Sequence, residues 1–230
     1  MTSNGVRSER RDGEFATACR IRDAAIGRFG RDGFGVGLRA VAADAGVTAG
    51  LVIHHFGSKD GLRRACDEHV LEVLRREKTK ALTGGAGGML LARMAGIELF
   101  APLVRYLLRS LQAGGELALE LVEQMTADAE GYLAAGEAAG VIRPSRDRAA
   151  RTRYLAYQAS GSLLLWFTLH GADADPEEFP ALFRRYADET MAPALELFAQ
   201  GLLVDRSMLD DYLMYVPDPP AAADADSTAR

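Results

Sequence analysis

Cysteine is scarce: Cys19 and Cys66 are the whole complement of a 230-residue chain, and two thiols make no disulfide framework. Long apolar runs are lacking too, since nothing approaches the roughly 18 consecutive apolar residues that read as a bilayer span. The first residues, MTSNGVRSERRDGEF, hold no hydrophobic stretch of the kind a secretory signal carries. These absences exclude a disulfide-stapled scaffold and a transmembrane protein. They lead to the expectation of a cytoplasmic protein in a reducing compartment, with no membrane as partner. Alternating apolar and polar runs bounded by turn residues are missing as well, so no strand is predicted.

Constellations that carry chemistry are equally sparse. No nucleophile with a neighbouring base, no carboxylate pair and no phosphate loop stands out, so an enzyme is not expected. His54, His55, Cys66 and His69 lie near one another in sequence but lack the paired ligand spacing of a zinc site. No metal and no cofactor is therefore expected. GVGLRA, Gly35 to Ala40, matches a loose dinucleotide pattern, yet that pattern opens a helix after a strand, and here it follows a helical segment.

What is present is an ordinary globular composition, 48% hydrophobic and 26% charged, in a chain long enough to bury a sizeable core. A net charge of −5 argues against a general polyanion binder. The charge is unevenly spread, however. Residues 1–64 hold 11 Lys and Arg against 7 Asp and Glu, and the remainder holds 16 against 25. A basic head on an acidic body suits a phosphate-seeking module joined to one with another task.

Apolar residues recur with a helical period almost throughout, so the predicted fold is all-α. A first helix is predicted over 14–29, with Ala18, Ile21, Ala25 and Phe29 on one face. A second starts at Gly37 or Leu38, turns Leu38, Val41, Ala42 and Ala45 inward, and ends at Gly46, which suits a left-handed turn. Thr48 caps a third helix reaching Phe56. Gly57 breaks it, and Ser58 caps a fourth that continues to Lys80. LTGGAGG, residues 82–88, separates these from helices expected near 89–111, 116–139, 146–170, 177–201 and 206–215. Pro102 and Pro193 fall inside two of them and are expected to kink or split them. Residues 1–13 read as a flexible basic arm carrying Arg7, Arg10 and Arg11, and residues 217–230 as a disordered tail.

Two short helices joined by AGVT make a helix-turn-helix, whose second helix enters the major groove of DNA. Set behind an amphipathic helix and ahead of HHFGSKDGL, this stretch resembles the tetracycline-repressor (TetR) family of bacterial regulators. The resemblance covers about Phe15 to Val70 and rests on Gly33-Phe34, LRAVAADAGVT, Gly50, His55-Phe56 and Ser58-Lys59. It implies a three-helix DNA-binding domain over 14–62 and a helical-bundle ligand-binding and dimerisation domain over 63–216. It also implies a homodimer on a palindromic operator in double-stranded DNA, and repression relieved by a small-molecule effector.

Carried over by position, the resemblance implies groove contacts from Thr48, Ala49, Gly50 and His54, with Ile53 and His55 close to the DNA backbone and Lys59 on a phosphate. From Val47 to Phe56 there is no Lys or Arg. The phosphate contacts of so neutral a helix are expected at its rims: backbone N–H groups near Gly37, Thr48 and Ser58, the Thr48 hydroxyl, Lys59, Arg39 and the basic arm. The chain departs from the family at three places. Ile53 and His54 stand where a Tyr and an aromatic residue are common, Gly37 replaces a Ser or Thr at a helix start, and Gly61 stands where a Glu would complete a capping box with Ser58.

In the body, Phe100, Tyr106, Met125, Tyr154, Trp166, Phe167 and His170 are spaced as core or interface residues. Phe100, Tyr106, Met125, Trp166 and His170 are the candidates for lining an effector cavity, expected between the 89–111 helix and the helix of Trp166. YLAYQASGSLLLWF, residues 154–167, is apolar or small on nearly every face. The 146–170 and 177–201 helices are accordingly expected to pair with their symmetry mates as a four-helix bundle, with Ala156, Ala159 and Gly161 allowing close approach. Two competing readings are a helical enzyme, which would need a polar constellation inside the body, and a helical adaptor without DNA binding, suggested by the neutral recognition helix.

Overall fold

A computed structural model describes residues 3–83, 94–171, 174–216 and 218, with side chains from Gly13 onward. Every regular element among them is helical. The spacer at 84–88, the beginning of the expected 89–111 helix and the tail over 217–230, apart from Asp218, lie outside the described residues.

The first helix, α1, spans Ser3–Asp32. It starts eleven residues before the predicted one, so the backbone from Ser3 to Gly13 is helical where a flexible arm was expected. No proline stands between residues 3 and 32, and nothing else in that stretch forces the backbone out of the helix. Ile21, Ala25 and Phe29 of α1 are fully buried, together with Val41 of α2 (Leu38–Asp44), Val52 of α3 (Ala49–Phe56) and Leu62, Cys66 and Val70 of α4 (Lys59–Thr83). These residues form the core of the head. Arg28 fastens α1 to α2 from outside, with Nη2 2.5 Å and Nε 2.7 Å from the two oxygens of Asp44. That fork holds the Asp44 carboxyl below its ordinary range.

The sharp turn between α2 and α3 depends on Gly46. Its φ of +65° lies in the left-handed region that disfavours side chains, and it lets the Val47 N–H donate to the Ala42 carbonyl at 2.9 Å. The start of α4 imposes a different constraint. Ser58 Oγ accepts the Gly61 N–H at 2.9 Å, and a Cβ placed on Gly61 would collide with the Phe56 carbonyl oxygen. A capping-box Glu therefore has no room at this position, which explains the departure noted in the sequence.

The body opens with a 3-10 turn, Ile97–Phe100, and α5, Ala101–Ala113. Pro102 sits in the first turn of α5, where a missing N–H costs nothing. The helix expected over 89–111 is thus split, as expected of Pro102: residues 94–95 are helical, 96–100 form the turn, and α5 begins at Ala101. Helix α6 (Gly115–Ala138) lies along α4, and α7 (Arg148–His170) packs on α6. Asp147 caps α7, accepting the Ala150 N–H at 2.8 Å. Helix α8 (Phe179–Gln200) runs unbroken through Pro193, and α9 (Ser207–Leu213) follows. Leu107 and Leu108 of α5, Leu121 of α6, Leu163 and Phe167 of α7, and Phe179 of α8 meet in the body core.

Gly61→Ala is expected to destabilise the protein by about 1–3 kcal/mol in urea denaturation, the usual cost of forcing atoms into a packed site. A variant as stable as the native chain would show that the first turn of α4 can shift away from Phe56.

Candidate nucleic-acid interface

Thr48 precedes α3 with an extended backbone, φ −86° and ψ 153°, and its side-chain oxygen accepts the Leu51 N–H at 3.3 Å. This satisfies one of the first N–H groups of the helix and fixes where the helix begins. Val52 is then fully buried and Ala49, His55 and Phe56 are partly buried, while Gly50, Ile53 and His54 are exposed. Spacings of three and four residues put those three on one face. Of the predicted groove-facing residues, Gly50 and His54 lie on one solvent-facing strip with Thr48 exposed at its start; Ile53, expected near the DNA backbone, shares the strip, and Ala49, expected in the groove, is partly buried at its edge with His55. The rings of His54 and His55 meet edge to face at 5.4 Å between centroids. Gly37 is the residue before α2, with extended φ −80° and no side-chain cap, and Arg39 is exposed in the first turn.

Lys59 is more constrained than its sequence position suggested. Its ammonium donates to the carbonyl of Phe34, and the guanidinium of Arg63, one turn along α4, lies 3.8 Å above the Phe34 ring. The loop between α1 and α2 is thus clamped by two cations of α4. An ammonium carries three donors, so this bond leaves Lys59 two more. Arg63 was not among the predicted site residues. Its only local signal is a place four residues after Lys59.

The expected effector residues divide. Phe100, Met125 and Trp166 border the body core, together with Phe167. Trp166 donates its Nε1–H to Glu189 at 2.7 Å. His170 is exposed at the edge and stacks on Trp166 at 4.6 Å between centroids. Tyr106 is displaced from this group: it is fully buried in the head core, because α5 packs against α1 and aims the ring at Phe34, 5.7 Å away. Its hydroxyl donates to Asp67 at 2.7 Å. The region between α5 and α7, where a cavity was expected, is filled by Leu107, Leu108, Leu163, Trp166 and Phe167. A groove of about 310 Å³ lies instead on the head, between α1 and α4, bordered by Phe15, Cys19, Arg22, Phe56 and His69.

Residues 21–66 match the family described as bacterial regulatory proteins, tetR family. Residues 98–204 match the tetracyclin repressor-like C-terminal domain. The chain is 49% identical over 203 residues to the HTH-type transcriptional regulatory protein RaaS of Mycobacterium tuberculosis (strain ATCC 25618 / H37Rv), covering 88% of this chain and 94% of that protein. Among solved structures it is similar to the transcriptional regulator FadR from Bacillus subtilis in complex with stearoyl-CoA, with a TM-score of 0.54, 18% identity, and 80% of this chain and 99% of that one covered. A TetR-family regulator from Mesorhizobium loti shares the fold at a TM-score of 0.50 and 17% identity, covering 80% of this chain and 97% of that one.

Burial raises the Asp67 carboxyl above its ordinary range, although the Tyr106 hydroxyl and Arg63 pull the other way. A carboxyl whose folded pKa is raised costs stability once ionised. Its unfavourable contribution grows as pH rises from the unfolded pKa through the folded one, and disappears below both. Asp67→Asn, which keeps an acceptor for Tyr106, is therefore expected to be more stable than the native chain at pH 7.5, with the gap closing toward pH 4. A loss of stability at pH 7.5 in urea denaturation would mean that attraction to Arg63 outweighs burial.

Proposed function

The chain belongs to the tetR family of bacterial regulatory proteins, and on that premise we propose a cytoplasmic, dimeric repressor that holds a palindromic operator through α3 and leaves it when a small molecule enters the helical body. The observation that carries this reading is the exposed strip of Thr48, Gly50, Ile53 and His54, held at a fixed angle by the Gly46 turn. Gly50 is exposed, and a Cβ there would meet Thr48 Oγ1 at 3.9 Å, so its lack of a side chain lets DNA approach closely, and the methyl of Ala49 suits a thymine methyl. Phosphate contacts come from Lys59, Arg39 and the helix starts at Gly37, Thr48 and Ser58. His55, at the end of α3, lies toward the DNA backbone. Residues 14–62 do the reading, and residues 63–216 carry the dimer contacts and the effector site.

Support for the dimer comes from α7. Tyr154, Tyr157, Leu165 and Leu169 are exposed, with Gly161 exposed between them. Their spacing makes one apolar stripe along the helix. Ala159 is exposed as well, whereas Ala156 turns inward and packs on its own body. A two-fold pair suits a palindrome with half-sites about 34–36 Å apart or a multiple of that. Phe100, Met125 and Trp166, with His170 at the rim, border the effector site, which opens when the side chains packed between α5 and α7 part to admit the ligand, and Tyr106 transmits that rearrangement to the head. That FadR is seen with stearoyl-CoA supports a small-molecule effector for a regulator of this fold. A coupling of about 1–3 kcal/mol between effector and operator changes operator affinity 5–150-fold.

Binding to the promoter beside the chain's own gene, compared with random DNA, tests the reading. Thr48→Val or His54→Ala should weaken operator binding by about 1–3 kcal/mol and leave random-sequence binding nearly unchanged, because a base contact matters only where its base is present. Lys59→Ala should weaken both alike and flatten the log-affinity versus log-salt slope by about one unit. Equal losses on both DNAs for Thr48→Val and His54→Ala would show that α3 positions the protein without reading sequence.

A further inference from the structure

Beyond α8 the chain exposes large apolar side chains that its own fold does not cover. Leu202 and Val204 are 82% and 103% exposed, and Tyr212 and Tyr215 are 65% and 87% exposed; Leu203, Met208, Leu209 and Met214 are exposed with them. The polar groups of the segment are turned on one another. Asp205 accepts from the Ser207 N–H at 2.9 Å and from its hydroxyl at 2.6 Å, and Arg206 pairs with Asp210 at 2.8 Å. Farther on, Asp218 meets Arg146 at 2.6 Å. Among the described residues the segment is thus ordered in its polar half and unpartnered in its apolar half. A helix of seven residues such as α9 does not hold its shape in water unaided. The match to the family's C-terminal domain ends at residue 204, so α9 lies outside what the family domain accounts for.

Two features identify what covers it. The first is continuity. Leu195, Leu197 and Phe198 are exposed at the end of α8 and lead into the segment, while the Arg146–Asp218 contact brings its far end to the beginning of α7, the helix that carries exposed Tyr154 and Tyr157. The arm's apolar surface therefore extends the α7–α8 face. The second is size. The largest apolar patch on a monomer is roughly 300–600 Å². Two tyrosines bring about 150–250 Å² each, six further large apolar side chains stand beside them, and a stable interface takes roughly 800 Å² from each partner.

We propose that residues 202–216 form an arm that packs on the α7–α8 face of a second copy of this chain, so that a two-fold dimer carries two reciprocal arms. This rests on the dimeric reading above and adds to it the segment that closes the interface.

The test uses the full chain bearing Val204→Asp, Met208→Asp and Tyr212→Asp together, followed by sedimentation equilibrium and circular dichroism. Helicity should hold, because these side chains are exposed within one copy. The dimer dissociation constant should rise at least about tenfold, as three buried contacts become three charges. In parallel, a photo-crosslinking amino acid at Tyr212 in a mixture of two differently tagged chains should join one copy to the other. If the triple variant loses helicity, the crosslink alone decides. A native dimer whose dissociation constant is unchanged by the three charges, or crosslinks that stay within one copy, for instance to residues 84–93, would overturn the arm and leave the dimer standing. A native chain that is monomeric at micromolar concentration would instead remove the dimeric reading on which the arm depends.

Discussion

The burial of one body residue in the head governs how the two parts of this chain relate. Tyr106 belongs to α5, yet its ring is fully enclosed by head residues and its hydroxyl is bonded to Asp67 of α4. An aromatic side chain so placed contributes both burial and a satisfied hydrogen bond. Gly30 of α1 completes the contact, because a Cβ there would sit 3.3 Å from the backbone nitrogen of Tyr106. The head is consequently not a module on a tether. Its first helix leans on α5, its last helix continues into the body, and any rearrangement of α5 reaches Phe34, which Arg63 and Lys59 hold beside the start of α2.

That arrangement also accounts for a recognition helix without a cation. Small side chains and a capped start let α3 lie close to a surface. On the proposed reading, the charge that holds a polyanion comes from neighbours such as Lys59 and Arg39, which belong to α4 and α2. Division of labour between reading and holding follows from geometry, since base edges lie deep in the groove and phosphates stand at its rims. Such a division requires rim cations fixed relative to α3, and the bond to the Phe34 carbonyl fixes Lys59.

The features legible in the sequence are those set by local rules. Thr48 and Ser58 as caps, Gly46 and Gly57 as turn residues and the inward face of α1 each depend on a few neighbouring residues, and each stands where the pattern placed it. Long-range features were not legible. Nothing near Tyr106 in sequence distinguishes a ring that enters the head from one that faces the body. The bond from Lys59 to Phe34 spans 25 residues, and the clash that excludes a side chain at Gly61 appears once the Gly57 turn has folded Phe56 back over α4. Pro102 splits its helix as the pattern required, whereas Pro193 does not, because a proline can open a new helix after a turn or stay inside a helix that packing holds together. The start of α1 was missed for the opposite reason, since a polar, charged stretch satisfies a helix as readily as a loop when no breaker interrupts it.

Native-state hydrogen exchange on the intact chain probes the fastening of head to body most directly. Amides of Phe29 in α1, Cys66 and Val70 in α4, and Leu107 and Leu108 in α5 should share one opening free energy, merging into a single isotherm as denaturant is raised, because the enclosed Tyr106 makes them one cooperative unit. Head amides that open well below those of α5, with a separate dependence on denaturant, would show two independent units and contradict the account.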